Sequence, residues 1–277
     1  MSLPAASTRT TVLVTGASSG IGAALARELA GRGYNVTLVA RREDRLRALA
    51  DALRRKHGIR ADVHLTDLAD ADARADLILG LRSGVLEVAG VCNNAGYGSI
   101  GRLHQLPLER EVAMVRLNVE ALHELTGAFL PAMVERGTGA VLNVASTAAF
   151  QPLPGFATYA ATKAFVASFS EGVHAELSGT GVSVTSLCPG PTKTEFGERA
   201  GGSSFQGGPD FVFSSAEDVA REGVEAMLAG RRSVVPGLAN KASMLAGRIV
   251  PRSLFLPAAR RLGAGRLADR ASRVAGD

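Results

Sequence analysis

Residues 10–22, Thr-Thr-Val-Leu-Val-Thr-Gly-Ala-Ser-Ser-Gly-Ile-Gly, constrain the fold of this chain more than any other stretch. Val12-Leu13-Val14 is a short apolar run rich in β-branched residues, which suits a buried strand. Gly16, Gly20 and Gly22 follow at once. Ala23 to Ala30 then combines strong helix formers with apolar positions at helical spacing, and Gly31 and Gly33 stop that helix. Strand, glycine turn and helix in this order let backbone approach a pyrophosphate closely. The free N–H groups and partial positive charge of the helix start then face it. Gly16, Ser18, Ser19, Gly20, Ile21 and Gly22 are therefore candidate dinucleotide contacts.

The glycine spacing is G-x-x-x-G-x-G rather than the more widespread G-x-G-x-x-G, so the second strand has to define the nucleotide. Tyr34-Asn35-Val36-Thr37-Leu38-Val39-Ala40 ends in Arg41-Arg42. A site for NAD usually carries an acidic residue there for the ribose hydroxyls. Two guanidiniums instead suit the additional phosphate of NADP(H), which a planar fork of N–H donors can hold. The bland alternative is two solvated arginines opening the next helix, and NAD(H) stays open as a second cofactor.

Tyr159-Ala-Ala-Thr-Lys163 places a phenol and an ammonium on one helix face. A phenol titrates near 10, too high for ready proton exchange at neutral pH, and a nearby cation favours the phenolate. The pair reads as a general acid/base, with Ser146 thirteen residues upstream able to orient an oxygen beside it.

Apolar runs alternate with helical patterns along the rest of the chain. Helices are predicted near Glu43–His57, Ala71–Gly84, Leu108–Glu135 (with Pro131 bending it), Thr158–Ser178 and Ala216–Ala229. Strands are predicted near Ala61–Thr66, Val88–Cys92, Ala140–Ala145, Val182–Leu187 and Ser233–Val235. Such alternation predicts an α/β fold, a single doubly wound parallel sheet of about seven strands with helices on both faces. Residues 1–9 are expected as a flexible lead, 10–237 as the catalytic domain and 238–277 as a basic helical extension.

With these residues in view, the chain resembles the short-chain dehydrogenase/reductase family from about Thr10 to Val235. The resemblance is carried by Thr15-Gly16-Ala17-Ser18-Ser19-Gly20-Ile21-Gly22, Asp67, Asn93-Asn94-Ala95-Gly96, Asn118, Ser146, Tyr159-x-x-x-Lys163 and Pro189-Gly190-Pro191-Thr192-Lys193-Thr194. It implies Asn118, Ser146, Tyr159 and Lys163 as the catalytic four. Tyr159 would exchange the proton of a carbonyl or alcohol oxygen, and Ser146 would hydrogen-bond that oxygen. Lys163 would lower the Tyr159 pKa and hold the nicotinamide ribose, and Asn118 would hold a relay water. The resemblance also implies cofactor contacts from Asp67 at the adenine and from Asn94, Ala95 and Gly96 at the middle. Pro189, Gly190, Thr192 and Thr194 would serve the nicotinamide side. It further implies a homodimer or homotetramer. A non-redox relative (an epimerase or dehydratase) and a dinucleotide-sensing module remain alternatives to an oxidoreductase, because fold does not decide chemistry.

Two regions bear on substrate and partners. Residues 195–214 hold Phe196, Phe205, Phe211 and Phe213 around a Gly-Gly-Ser-Ser stretch, which reads as a lid with an apolar inner wall or as a surface loop. Ala148, Phe150, Pro152, Leu153, Pro154 and Phe156 lie between Ser146 and Tyr159 and would line the same pocket, so a lipophilic carbonyl or alcohol is expected. From Arg231 to Asp277 stand ten basic residues against Asp269 and Asp277, a net of +8 in a chain whose total is +5. Interleaved with apolar residues, this tail can lie on an anionic membrane surface, pack over the pocket, or form a subunit interface. Nucleic acid is not expected, since the charge comes without a binding motif or stacking aromatics. Five scattered histidines and two cysteines offer no metal spacing, and Cys92 and Cys188 read as buried structural thiols. No apolar run approaches the ~18 residues of a membrane span, and no secretory signal is read. The expected location is the cytoplasm.

Overall fold

The computed structural model describes residues 3–200 and 213–261. Seven strands form one sheet: β1 (Thr10–Thr15), β2 (Val36–Ala40), β3 (Ala61–Leu65), β4 (Glu87–Asn93), β5 (Gly139–Val144), β6 (Val182–Leu187) and β7 (Ser233–Val234). Their order is β3-β2-β1-β4-β5-β6-β7 and every pairing is parallel. Parallel strands need helical crossovers, which bury both faces of the sheet. The central strands are accordingly buried from end to end, and β5 and β6 have no exposed residue. Within β1 the alternation sets the two layers. Val12 and Val14 join the cluster beneath α1 (Gly20–Gly31) and α2 (Glu43–His57), while Leu13 joins the opposite cluster.

α3 (Ala71–Arg82) follows β3, and Asp70 caps it by accepting from the Ala73 N–H at 3.0 Å. The next crossover departs from the single long helix predicted. It comprises α4 (Leu108–Val115), a π-helical turn (Arg116–Glu120) and α5 (Ala121–Arg136). Pro131 lies inside α5, so the interruption sits fifteen residues before it. The turn is braced from outside by Arg74 of α3, whose side chain is fully buried. Its guanidinium bonds Glu120 at the end of the π turn, Glu124 at 2.7 Å and the Leu68 carbonyl at 2.9 Å. α6 (Ala157–Glu176), the four-residue α7 (Phe196–Arg199), α8 (Ala216–Leu228) and α9 (Leu238–Ile249) complete the described helices, with further helical backbone over 252–261.

The segment before β1 is anchored rather than loose. Leu3 is buried and fills the space over Gly90, where a side chain would collide with it at 2.9 Å. Pro4 accepts from the Tyr34 hydroxyl, and Ser7 from the Asn35 amide. A lone apolar residue seven positions ahead of the first strand gives no periodic signal, and its partner Gly90 is distant in sequence.

Because the chain runs β1-β2-β3 one way and then returns to place β4 on the other side of β1, the strand order reverses there, and the loops after β1 and β4 meet at the carboxyl ends of the strands, where open α/β sheets have their ligand crevice. Replacing the buried Arg74 by Ala removes the brace and leaves a void. Urea denaturation should show a loss of about 2–4 kcal/mol; a loss below about 0.5 kcal/mol would reject the brace.

Candidate active site

The turn after β1 is packed to the limit of its backbone. A Cβ on Gly22 would lie 2.3 Å from the Gly16 carbonyl oxygen and 2.5 Å from Asn94 Nδ2. Gly16 itself has φ +65° and lies against Ala95. Asn94 is the clamp: its amide donates to the Thr15 carbonyl at 3.0 Å, and Thr15 Oγ1 accepts from the Asn94 and Ala95 N–H groups. The first glycine turn and the Asn-Asn-Ala-Gly turn are thus one unit. Its open side carries the start of α1 with its free N–H donors.

Arg41 and Arg42 part company. Arg41 is largely exposed and pairs with Asp67 at 3.2 Å. Arg42 turns back over the glycine turn, donating to Ser18 Oγ through Nε and Nη2 and to Ser19 Oγ at 2.6 Å. Its remaining nitrogen meets the Glu195 carboxylate at 2.9 Å, and Arg45 bonds the other oxygen of that carboxylate. The two guanidiniums hold the Glu195 carboxyl down to about 2. An anion therefore already sits between Arg42 and Arg45, beside two serine hydroxyls. Arg45 and Glu195 were not among the sequence candidates, since each acquires its role only through contacts some 150 residues apart.

Asn118 sits on the π turn and is buried. Its Oδ1 accepts from the Tyr97 N–H at 3.2 Å. Its Nδ2 donates to the Tyr97 carbonyl at 2.9 Å and to Thr162 Oγ1 at 3.1 Å. The amide stitches the loop after β4 to α6. Gly96 is squeezed between Asn118 Oδ1, 2.9 Å from where its Cβ would be, and Lys163 Nζ at 3.6 Å.

Ser146 lies two residues past β5, accepts from the Ala148 N–H at 3.1 Å, and stands beside the Tyr159 phenol. Lys163 Nζ donates to the Val144 carbonyl at 2.7 Å and lies 5.8 Å from the Tyr159 ring centroid. Both side chains are buried. Burial pushes the phenol up to about 12, with Ser146 the partner that opposes the rise, and pulls the Lys163 ammonium down to about 8. The depression of Tyr159 expected from Lys163 does not show here, because desolvation dominates and the ammonium is itself weakened by the same burial.

The Tyr159 ring is flanked by Phe156 at 4.6 Å and Phe196 at 5.3 Å between centroids. Met114, Ala148 and Ala200 complete a buried cluster, with Tyr97, Ile100, Leu153 and Phe196 packed against it. Of the wall residues expected from sequence, Ala148, Leu153, Phe156 and Phe196 gather here. Phe150 packs instead with Val166 and Cys188, and Phe205 and Phe211 lie outside the described residues, as does the stretch 201–212 of the expected lid. Gly98 was missed: its Cβ would meet Phe156 and Phe196 at 3.0 Å and Tyr159 at 3.2 Å, so only glycine admits this close stacking.

Pro189 and Gly190 follow β6, and Thr192 Oγ1 donates to the Gly190 carbonyl at 3.0 Å. Thr194 packs its methyl 3.1 Å from where a Gly20 Cβ would be. Asn240 of α9, also missed, is buried against Gly190 and donates to the Pro236 carbonyl at 2.8 Å. Cys92 and Cys188 are free and buried, and burial raises their thiols to about 12 and about 11.

Known proteins resemble this chain in sequence and in fold. The family model described as short chain dehydrogenase matches residues 10–202. Sulfoacetaldehyde reductase 2 of Chromohalobacter salexigens is 37% identical over 217 residues, 76% of this chain and 84% of that protein. A short-chain dehydrogenase from Sphingobium yanoikuyae, solved in complex with NADPH, superposes with a TM-score of 0.78 at 35% identity, covering 86% of this chain and 92% of the other. A 7β-hydroxysteroid dehydrogenase superposes with a TM-score of 0.78 at 27% identity, covering 90% and 95%.

The lowered Lys163 pKa has a consequence for stability. The folded state binds fewer protons than the unfolded chain between pH 8 and 10.5, so this group makes stability rise with pH through that window. Below pH 8 its charge costs the fold about 3 kcal/mol, on the scale of 1.36 kcal/mol per pKa unit. Lys163→Met should therefore stabilise the protein by about 1–2 kcal/mol at pH 7, after the lost hydrogen bond to Val144 is allowed for, and should flatten the rise. Denaturation of both proteins at pH 7 and pH 10 checks this; a less stable variant at pH 7 would contradict it.

Proposed function

This chain belongs to the short-chain dehydrogenase family, and from that premise we propose that it is an NADP(H)-dependent oxidoreductase interconverting a lipophilic carbonyl and its alcohol. The observation that carries the reading is that two sites are linked by neighbouring residues of one loop, Glu195 meeting Arg42 and Phe196 packing on Tyr159. At one end Arg42, Ser18 and Ser19 form an anion site over the glycine turn. At the other, Tyr159, Ser146 and Lys163 stand in an apolar wall. The residues fit the cofactor: the glycine turn leaves the start of α1 bare for a pyrophosphate, and Arg42 supplies the fork for a 2′-phosphate. Gly96, Pro189, Gly190, Thr192 and Thr194 would border its nicotinamide end. When bound, the cofactor supplies the hydride donor or acceptor.

The chain's own residues handle the proton. Tyr159 donates its phenolic hydrogen to the substrate oxygen in reduction and recovers it in oxidation. Ser146, beside that phenol, fixes the same oxygen. Lys163 stabilises the phenolate left behind, and Asn118 keeps the Gly96 turn pressed against Lys163. The flanking Phe156 and Phe196 exclude water and favour an apolar substituent. The sulfoacetaldehyde reductase relative is named for a small charged substrate, but the cluster packed around this phenol is apolar, which favours a bulkier ketone or aldehyde. Exposed Val112, Val115, Val134 and Phe165 on α4, α5 and α6 support a homodimer or homotetramer. NADP(H) use and two free thiols support a cytoplasmic location.

Two experiments test this. In fluorescence titrations NADPH should bind more tightly than NADH, and Arg42→Ala should erase about 1.5–3 kcal/mol of the preference. Glu195→Gln should instead tighten NADPH and leave NADH unchanged, since it removes the competing carboxylate. Equal binding of both cofactors to the native protein would overturn the phosphate site. Tyr159→Phe should lower kcat by at least about 100-fold on a lipophilic ketone while cofactor affinity holds; an active variant would refute the proton role.

A further inference from the structure

Among the described residues no helix is long and apolar enough to cross a membrane. The C-terminal helices nevertheless have the pattern of a segment that lies on one. In α9, Leu238, Lys241, Leu245 and Ile249 fall on one face at helical spacing and all are exposed, Leu238 by 83% and Ile249 by 69%. The opposite face docks on the protein: Asn240 is buried against Gly190, and Met244 packs on the cluster of Ala145, Val166 and Cys188. The helical stretch 252–261 repeats the arrangement, with Leu254 67% exposed and Arg252, Arg260 and Arg261 in solvent. No acidic residue occurs between Arg231 and Arg261.

An apolar face bounded only by cations is costly in water and poorly matched to a protein partner without compensating acids. It is matched to the headgroup layer of an anionic bilayer, where apolar side chains enter the acyl boundary and arginines meet phosphates. We infer that α9 and residues 252–261 form a peripheral docking surface for an anionic lipid bilayer. The net of +8 after residue 230, against −3 before it, directs this end of the molecule toward such a surface. Because α9 packs behind Ser146 and Gly190, docking sets the substrate side of the crevice at the lipid interface. That last step rests on the lipophilic reading above, and the docking does not.

Flotation of the full-length protein with vesicles of phosphatidylglycerol and phosphatidylcholine, against phosphatidylcholine alone, tests the docking without any substrate. The protein should float with the anionic vesicles and be released by salt. Ile249→Glu with Leu254→Glu, and separately Lys241→Glu with Arg252→Glu, should each reduce binding by about tenfold or more. Unchanged melting temperatures would show that both double variants are folded. Failure of the native protein to float, or undiminished binding by both double variants, would overturn the proposal. So would absence of vesicle binding together with an Ile249→Glu, Leu254→Glu variant that dissociates a native dimer in sedimentation equilibrium, since a second copy would then cover the face. Turnover of lipophilic ketones is a separate readout, so its failure would sink the substrate reading and leave the docking result standing.

Discussion

One carboxamide holds the catalytic half of this molecule together. The three hydrogen bonds of Asn118 tie the loop after β4 to the π turn and to α6, the helix that bears Tyr159 and Lys163. The π turn carries this amide with its side chain buried. Arg74 then fixes the end of that turn from the opposite side of the helix through Glu120 and Glu124. A buried amide thus sits on a distortion in the helix, and the end of that distortion is held by a buried arginine through two half-exposed glutamates.

The legible parts of the chain were those whose signal is local. A strand, a glycine turn and a helix follow in 22 residues, and their buried positions match the apolar pattern. The single parallel sheet followed from regular alternation, and β6 and α2 lie where their periodicity placed them. The hidden parts depended on pairs distant in sequence. Which arginine of Arg41-Arg42 faces the glycine turn is settled by Ser18 and Glu195, and not by anything within the second strand. Gly98 looks like one more flexible loop residue until Phe156 and Phe196 close over it. Leu3 and Asn240 lie outside the family's motifs and find partners only in three dimensions. The π turn left no trace because its residues, Arg-Leu-Asn-Val-Glu, are acceptable in an ordinary helix.

Electrostatically the crevice has two unlike ends. At the anion end, partly exposed guanidiniums favour a negative group, and Glu195 is held ionised far below its usual range. At the phenol end, desolvation opposes charge of either sign, so Tyr159 is raised and Lys163 lowered. Opposite displacement carries two groups of nearly matched ordinary pKa apart, to about 12 and about 8. The first end is built to hold a permanent charge and the second to let a charge exist briefly, which is the division a hydride-transfer site with a charged cofactor requires.

The same contrast extends to the outer surface. The chain up to residue 230 carries a net −3 and the remainder +8, so charge is unevenly distributed along the sequence. α9 belongs to the basic part yet is wedged against the loop after β6, with Asn240 occupying the space that any side chain at Gly190 would need. A purely solubilising tail would have no reason to press a buried amide onto the rim of the crevice while turning leucine and isoleucine outward. Only a segment with duties on both faces pays that cost. The inner face completes the rim, and in the proposed docking the outer face is the one that meets an anionic bilayer. Under that proposal one helix serves both the rim and the membrane surface, so a change on either face is expected to be felt at the other.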